Sequence, residues 1–143
     1  MTIQVKICGV RTPAILNTAI ASGADFVGLV HFPKSPRHLT IDEAKQLVLD
    51  ARGRIKTVLV TVDPDDELAD MIARDVAPDF IQLHGTESPA RAAAIKDRTG
   101  LRIVKAIPVS EPQDVMCASS YAGIADKILF DAKAPAGADL PGG

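Results

Sequence analysis

Four side chains in this 143-residue sequence can move a proton or hold an anion, and each sits beside a short apolar run. Cys8 closes Lys6-Ile7-Cys8 ahead of Gly9, and Arg37 follows Lys34-Ser35-Pro36. His84 closes Gln82-Leu83-His84 ahead of Gly85, and Asp131 ends Ile128-Leu129-Phe130. A thiolate at position 8 can take a proton where positive charge lowers its pKa, and Gly9 lets other groups approach closely. A cysteine in such a run is, however, more often inert packing. Asp131 can be a general acid where its surroundings raise its pKa, or can simply cap the N–H groups of a loop. Arg37 can grip a carboxylate through two parallel hydrogen bonds, or be a solvated loop arginine. His84 can donate to a substrate, act as a ligand, or rest as a satisfied core imidazole. Lys105, in a further run, joins these residues in a ring of polar groups expected to face one mouth. Cys117, among Val115, Met116 and Ala118, reads as packing.

The elements that must position these residues follow from the apolar pattern. Strands are expected at Gln4–Cys8, Phe26–His31, Thr57–Val62, Phe80–His84, Ile103–Ile107 and Lys127–Phe130, each too short for an ordinary helix. Several are almost continuously apolar, as parallel strands covered on both faces are. Helix starts fall between them. Thr12-Pro13 supplies a cap and a proline at the first helical position. Thr40 with Glu43 forms a capping box ahead of Ala44, Leu47, Val48 and Ala51, with Gly53 as a stop. Asp63-Pro64 opens an acidic turn followed by Leu68, Met71 and Ile72, Ser88-Pro89 opens an alanine-rich helix ending near Gly100, and Ser110 with Gln113 resembles another box. Five β-then-α units and a sixth strand argue for α/β architecture with right-handed crossovers. Asp25, Asp79 and Asp126 each precede a strand in every second unit, a faint repeat that favours a barrel over an open sheet. Residues 132–143 read as a Pro/Gly/Ala loop.

A ring at the C-terminal strand ends is where parallel α/β proteins meet their ligands. The formal charge of −2 and the absence of a basic stripe argue against nucleic acid, and one Tyr with no Trp argues against base stacking. No apolar run is long enough to span a membrane and no signal peptide is evident, so a reduced cytoplasmic protein is expected. Three histidines and two cysteines form no metal-ligand spacing, so no metal is expected.

These motifs together resemble a family. Lys6-Ile7-Cys8-Gly9, Gly23-Ala24-Asp25 with Gly28, Phe32-Pro33-Lys34-Ser35-Pro36-Arg37, Gln82-Leu83-His84-Gly85, Leu129-Phe130-Asp131 and Pro141-Gly142-Gly143 run in the order found in phosphoribosylanthranilate isomerases. The resemblance implies a (β/α)8 TIM barrel, here incomplete, with about six strands and five helices in a single domain over residues 1–143. It implies a cofactor-free Amadori rearrangement of phosphoribosylanthranilate in tryptophan biosynthesis. Asp131 would be the general acid that opens the furanose, Cys8 the base at C2, and Arg37 the partner of the anthranilate carboxylate, with His84 nearby. The chain departs from the family at Val60-Thr61-Val62-Asp63, where an apolar strand ending in Asn is usual. It is also expected to stop before the two strands whose loops hold the substrate phosphate. The 143 residues alone are therefore expected to be poorly active, and to form homo-oligomers through open barrel edges. The alternatives are a non-catalytic, self-associating barrel fragment, or another phosphosugar-binding α/β barrel. A strand order of 1-2-3-4-5-6 would support the barrel, and 2-1-3-4-5 an open doubly wound sheet.

Overall fold

The structure is a computed structural model that describes residues 2–132, so the expected loop at 133–143, with Pro141-Gly142-Gly143, lies outside the described residues. Six strands form one parallel sheet in the order β1-β2-β3-β4-β5-β6. They are β1 (Lys6–Cys8), β2 (Phe26–Val30), β3 (Lys56–Thr61), β4 (Phe80–Leu83), β5 (Arg102–Val109) and β6 (Lys127–Ala132). Each strand lies beside its predecessor, as a curling barrel wall requires and a doubly wound sheet forbids. The helices are α1 (Pro13–Ala21), α2 (Ile41–Ala51), α3 (Asp66–Met71), α4 (Pro89–Thr99) and α5 (Pro112–Met116). The architecture is an incomplete (β/α)8 barrel wall.

The period-2 alternation of the strands builds two apolar layers. Phe26, Val58, Phe80 and Val104, with Leu129 against them, fill the concave side, where the Phe26 and Phe80 rings meet edge to face at 5.7 Å. The alternate residues Val27, Leu29, Leu59, Ile81 and Ile103 pack outward against Leu16, Leu47, Val48, Ile72 and Ile95 of the helix layer. β2 is buried along its whole length, which accounts for its continuous apolar run.

Helix starts obey local capping chemistry, with two corrections. Thr12 Oγ1 accepts from Ile15 N, Thr40 and Glu43 form a complete capping box, and Ser88 Oγ accepts from Arg91 N. The third helix, however, is capped by Asp65, not by Asp63-Pro64, and continues as a π-helical turn, Ile72–Val76. Asp63 instead turns the chain at φ 45°. The fifth begins from Glu111, with Asp114 accepting from the N–H groups of Ser110 and Glu111; Gln113 is not the box partner. Cys117 is exposed, not packed, because the short α5 buries none of its residues before tightening into a 3-10 turn.

The aspartate repeat has a physical role. Asp25, Asp79 and Asp126 accept the backbone N–H groups of Val5, Thr57 and Ile103 at 2.8 Å each. Every even-numbered strand is thus tied at its start to the strand before it. These carboxylates satisfy donors where the strand ladder begins.

Lys105 corrects the expected ring. It follows Ile103 by two residues, so it points with it into the helix layer and not into the mouth. Its ammonium is buried and bonds Glu87 Oε1 at 2.9 Å and the carbonyls of Gly85 and Leu83 at 3.0 and 3.4 Å. Glu87 also accepts from Gly85 N and Asp63 N, and its backbone carbonyl accepts a hydrogen bond from the Tyr121 hydroxyl. The Asp63 carboxylate in turn accepts from Thr86 N and Oγ1. This buried pair therefore locks the loops after β3 and β4 together, at Gly85, the residue that follows His84.

Candidate active site

The alternation that sends Lys105 outward sends Lys6 and Cys8, Gln82 and His84, and Leu129 and Asp131 inward. They line a cavity of about 620 Å³ at the C-terminal ends of the strands, together with Arg37 and an apolar wall of Val30, Phe32, Val60 and Val62. That volume lies within the ~300–1,000 Å³ range of small-molecule sites. A cleft of similar size, about 630 Å³, runs between α1 and α2 beside Arg11, Glu43 and Asp50, but it lies away from the strand ends. All four residues singled out from the sequence, Cys8, Arg37, His84 and Asp131, open onto the strand-end cavity.

Cys8 is exposed to this mouth. Two glycines make room around it. A Cβ on Gly28 would lie 2.9 Å from Cys8 Sγ and 3.2 Å from Lys6 Cε, so β2 needs glycine opposite β1. Gly9 adopts φ 80°, and a Cβ there would meet the Arg37 side chain at 2.6 Å. The guanidinium therefore rests on bare backbone next to the thiol. Among the described residues no carboxylate pairs with Arg37, which leaves its fork of donors for a ligand. Its loop is held at both ends of the turn. Leu39 N donates to Val30 O at 2.7 Å, His31 Nδ1 bonds Leu39 O at 2.8 Å, and Arg37 N donates to Ser35 Oγ.

Two further residues of the cavity wall are not among the four singled out from the sequence: Lys6 and Gln82. Lys6 Nζ donates to Gln82 Oε1 at 2.7 Å, Gln82 Nε2 meets His84 Nδ1 at 3.0 Å, and His84 Nε2 meets Asp131 Oδ2 at 3.0 Å. Burial holds the Lys6 ammonium below the ordinary lysine value; Cys8 opposes that shift, and Arg37 adds to it. The available signal is register: Lys6 is two residues before Cys8, and Gln82 two before His84, so each shares its neighbour's face. Among the described residues no group of three or more His, Cys, Asp or Glu stands close enough to hold a metal ion. No described helix is long and apolar enough to cross a membrane.

Comparison with known proteins agrees with this geometry. The family model described as N-(5'phosphoribosyl)anthranilate (PRA) isomerase matches residues 5–140. N-(5'-phosphoribosyl)anthranilate isomerase of Azorhizobium caulinodans is 51% identical over 143 residues, covering 100% of this chain and 63% of that protein. The chain thus spans somewhat less than two thirds of that relative. The crystal structure of phosphoribosyl anthranilate isomerase from Thermotoga maritima superimposes with a TM-score of 0.85 at 31% identity, covering 94% of this chain and 64% of that one. A phosphoribosyl anthranilate isomerase in complex with reduced 1-(o-carboxyphenylamino)-1-deoxyribulose 5-phosphate is similar at a TM-score of 0.83 and 30% identity, covering 92% and 66%.

Proposed function

The chain belongs to the N-(5'-phosphoribosyl)anthranilate isomerase family, and from that premise we propose that its strand-end cavity serves the isomerisation of phosphoribosylanthranilate in tryptophan biosynthesis. The observation that carries the reading is the convergence on one cavity of a thiol, a carboxyl group and a guanidinium that pairs with no carboxylate among the described residues: Cys8, Asp131 and Arg37. Such an aminoaldose-to-aminoketose rearrangement needs one acid and one base on either side of a sugar. Asp131 gives its proton to the furanose ring oxygen as the C1–O bond breaks, and the nitrogen lone pair forms the C1=N bond of a Schiff base. Cys8, as thiolate, removes the proton from C2; that electron pair becomes the C1=C2 bond of an enolamine and neutralises the iminium. Tautomerisation returns a proton to C1, releases one from the C2 hydroxyl and leaves the ketone.

The cavity wall suits the rest of the substrate. Arg37 pairs the anthranilate carboxylate bidentately, and Phe32 with Val30, Val60 and Val62 receives the aromatic ring. His84, bonded to Asp131, orients the acid. The acting unit is one domain whose reaction requires no metal or cofactor.

Among the described residues, β1 and β6 each pair with one strand. The outer residues Ile3, Val5 and Ile7 near β1 are 83%, 46% and 40% exposed. Such an edge invites a second copy, and self-association of the isolated chain with weak turnover is part of the proposal.

The direct test is turnover in the intact protein that carries this sequence, followed by the loss of substrate fluorescence. Turnover that falls sharply in Asp131→Asn and in Cys8→Ser supports the reading. Absence of turnover in the parent protein overturns it.

A further inference from the structure

Lys6, Gln82, His84 and Asp131 form an unbroken hydrogen-bonded row across the inner face of the barrel wall, from β1 to β6, with contacts of 2.7, 3.0 and 3.0 Å. The direction of every bond in the row follows from its first member. An ammonium only donates, so the Gln82 atom facing Lys6 is the amide oxygen. The Gln82 amide is buried, at 1% exposure, so a reversed amide would set N–H against N–H with no water to relieve the clash. Its nitrogen must therefore face His84 and donate to Nδ1. A ring whose Nδ1 accepts carries its proton on Nε2, and Nε2–H then donates to Asp131 Oδ2. An imidazolium would again oppose N–H to N–H at the Gln82 contact.

We propose that Lys6 and Gln82 are positioning residues that fix His84 as its neutral Nε2–H tautomer, so that one oxygen of Asp131 is permanently occupied as an acceptor. The other carboxyl oxygen, Oδ1, is then the atom that carries and delivers the proton. The ammonium that stands beside the base Cys8 thus also sets the polarity of the acid on the far side of the cavity. The assignment of Oδ1 rests on the isomerase reading; the tautomer assignment rests on the geometry alone.

Side-chain nitrogen NMR of His84 in the intact protein, without substrate, reads the tautomer directly. The expected spectrum near neutral pH has an unprotonated Nδ1 and a protonated Nε2; a protonated Nδ1 overturns the proposal with no variant needed. Lys6→Met should let the amide turn and mix the two tautomers, whereas Lys6→Arg, another obligate donor, should restore the parent signal. Gln82→Glu replaces the donor to His84 by an acceptor and should protonate Nδ1. An unchanged His84 signal in folded Lys6→Met also overturns it. In kinetics, Lys6→Met should lower kcat at least 10-fold with a smaller change in KM, and Lys6→Arg should recover most of that loss. A parent protein with the expected tautomer and no turnover would instead remove the isomerase reading and leave the tautomer assignment standing.

Discussion

The His84 imidazole lies 3.0 Å from the Asp131 carboxylate across 47 residues of sequence, joining the end of β4 to that of β6 over the intervening β5. β4 and β6 are not hydrogen-bonded neighbours, so the contact spans β5, and the curl of the sheet leans the two side chains toward each other. A flat sheet would hold the two strand ends roughly 9–10 Å apart, twice the spacing between neighbours.

If Asp131 and Cys8 are the acid and base, their isosteric replacements should cost rate and not structure. Asp131→Asn and Cys8→Ser should each lower kcat by about 10²–10⁴-fold, the usual worth of a positioned general acid or base. Circular dichroism and melting should stay close to the parent. Near-normal turnover in either variant removes that residue from the mechanism.

Arg37→Lys keeps the charge and loses the fork. With a substrate carboxylate gripped bidentately, KM should rise about 10-fold or more, in line with the ~1.5–3 kcal/mol of a hydrogen bond to a charged group. The kcat value should move less. An unchanged KM would show that the guanidinium faces solvent during the reaction.

Lys105 and Glu87 are almost fully buried, with 4% and 0% side-chain exposure. Lys105→Met strands the Glu87 carboxylate and should cost about 3–5 kcal/mol in denaturant unfolding. Removing both charges should cost less than the sum of the single changes, but should not be neutral. The amides of Gly85 and Asp63 would still lack their acceptor, at ~1–3 kcal/mol each. A Lys105→Met protein as stable as the parent contradicts the lock between the two loops.

Lys6 links pH to activity and to stability with opposite signs. Its folded pKa lies below the ordinary 10.5, chiefly through burial. Between the two values the unfolded chain binds more protons, so the Lys6 contribution to stability rises with pH across that window. Below the folded value the cost of burying the ammonium is fully present. Turnover should fall across the same window, because Gln82 loses its obligate donor. Parallel melting and kcat profiles test this, and Lys6→Arg should shift the alkaline limb upward. A limb unmoved by that change belongs to another group.

Light scattering on the isolated 143-residue chain, its mass confirmed, should show species larger than a monomer. Val5→Lys and Ile7→Lys on the exposed β1 row should reduce them. A monodisperse monomer with turnover typical of an enzyme would falsify both the self-association and the weak activity proposed for the isolated chain.

Much of the site is legible in the sequence because strand ends announce themselves. Apolar runs stop where chain leaves the sheet, and Cys8, His84 and Asp131 stand at those stops. Caps at Thr12, Thr40 and Ser88 are equally readable, since a cap bonds an amide three residues away and needs no distant partner. The cap at Asp65 is not, because Asp63 and Asp65 are chemically alike. What separates them is the left-handed φ at Asp63, imposed by contacts with Thr86 and Glu87 more than twenty residues on.

The sequence by itself determined the strand-and-helix order, the family and four of the side chains of the mouth. All of these depend on residue type, local spacing and motif order. Alternation along a strand shows which polar residues share a face, but tertiary structure alone decided which face meets the mouth and whom each residue meets there. Lys105 and Gln82 both lie inside apolar runs, yet one neutralises Glu87 beneath the helices and the other joins Lys6 to His84 across the cavity. Side-chain direction alternates with every residue along a strand. A polar residue's role therefore depends on register against its neighbours and on the curl that brings β1, β4 and β6 around one space. Those are properties of the curled sheet and of no single segment.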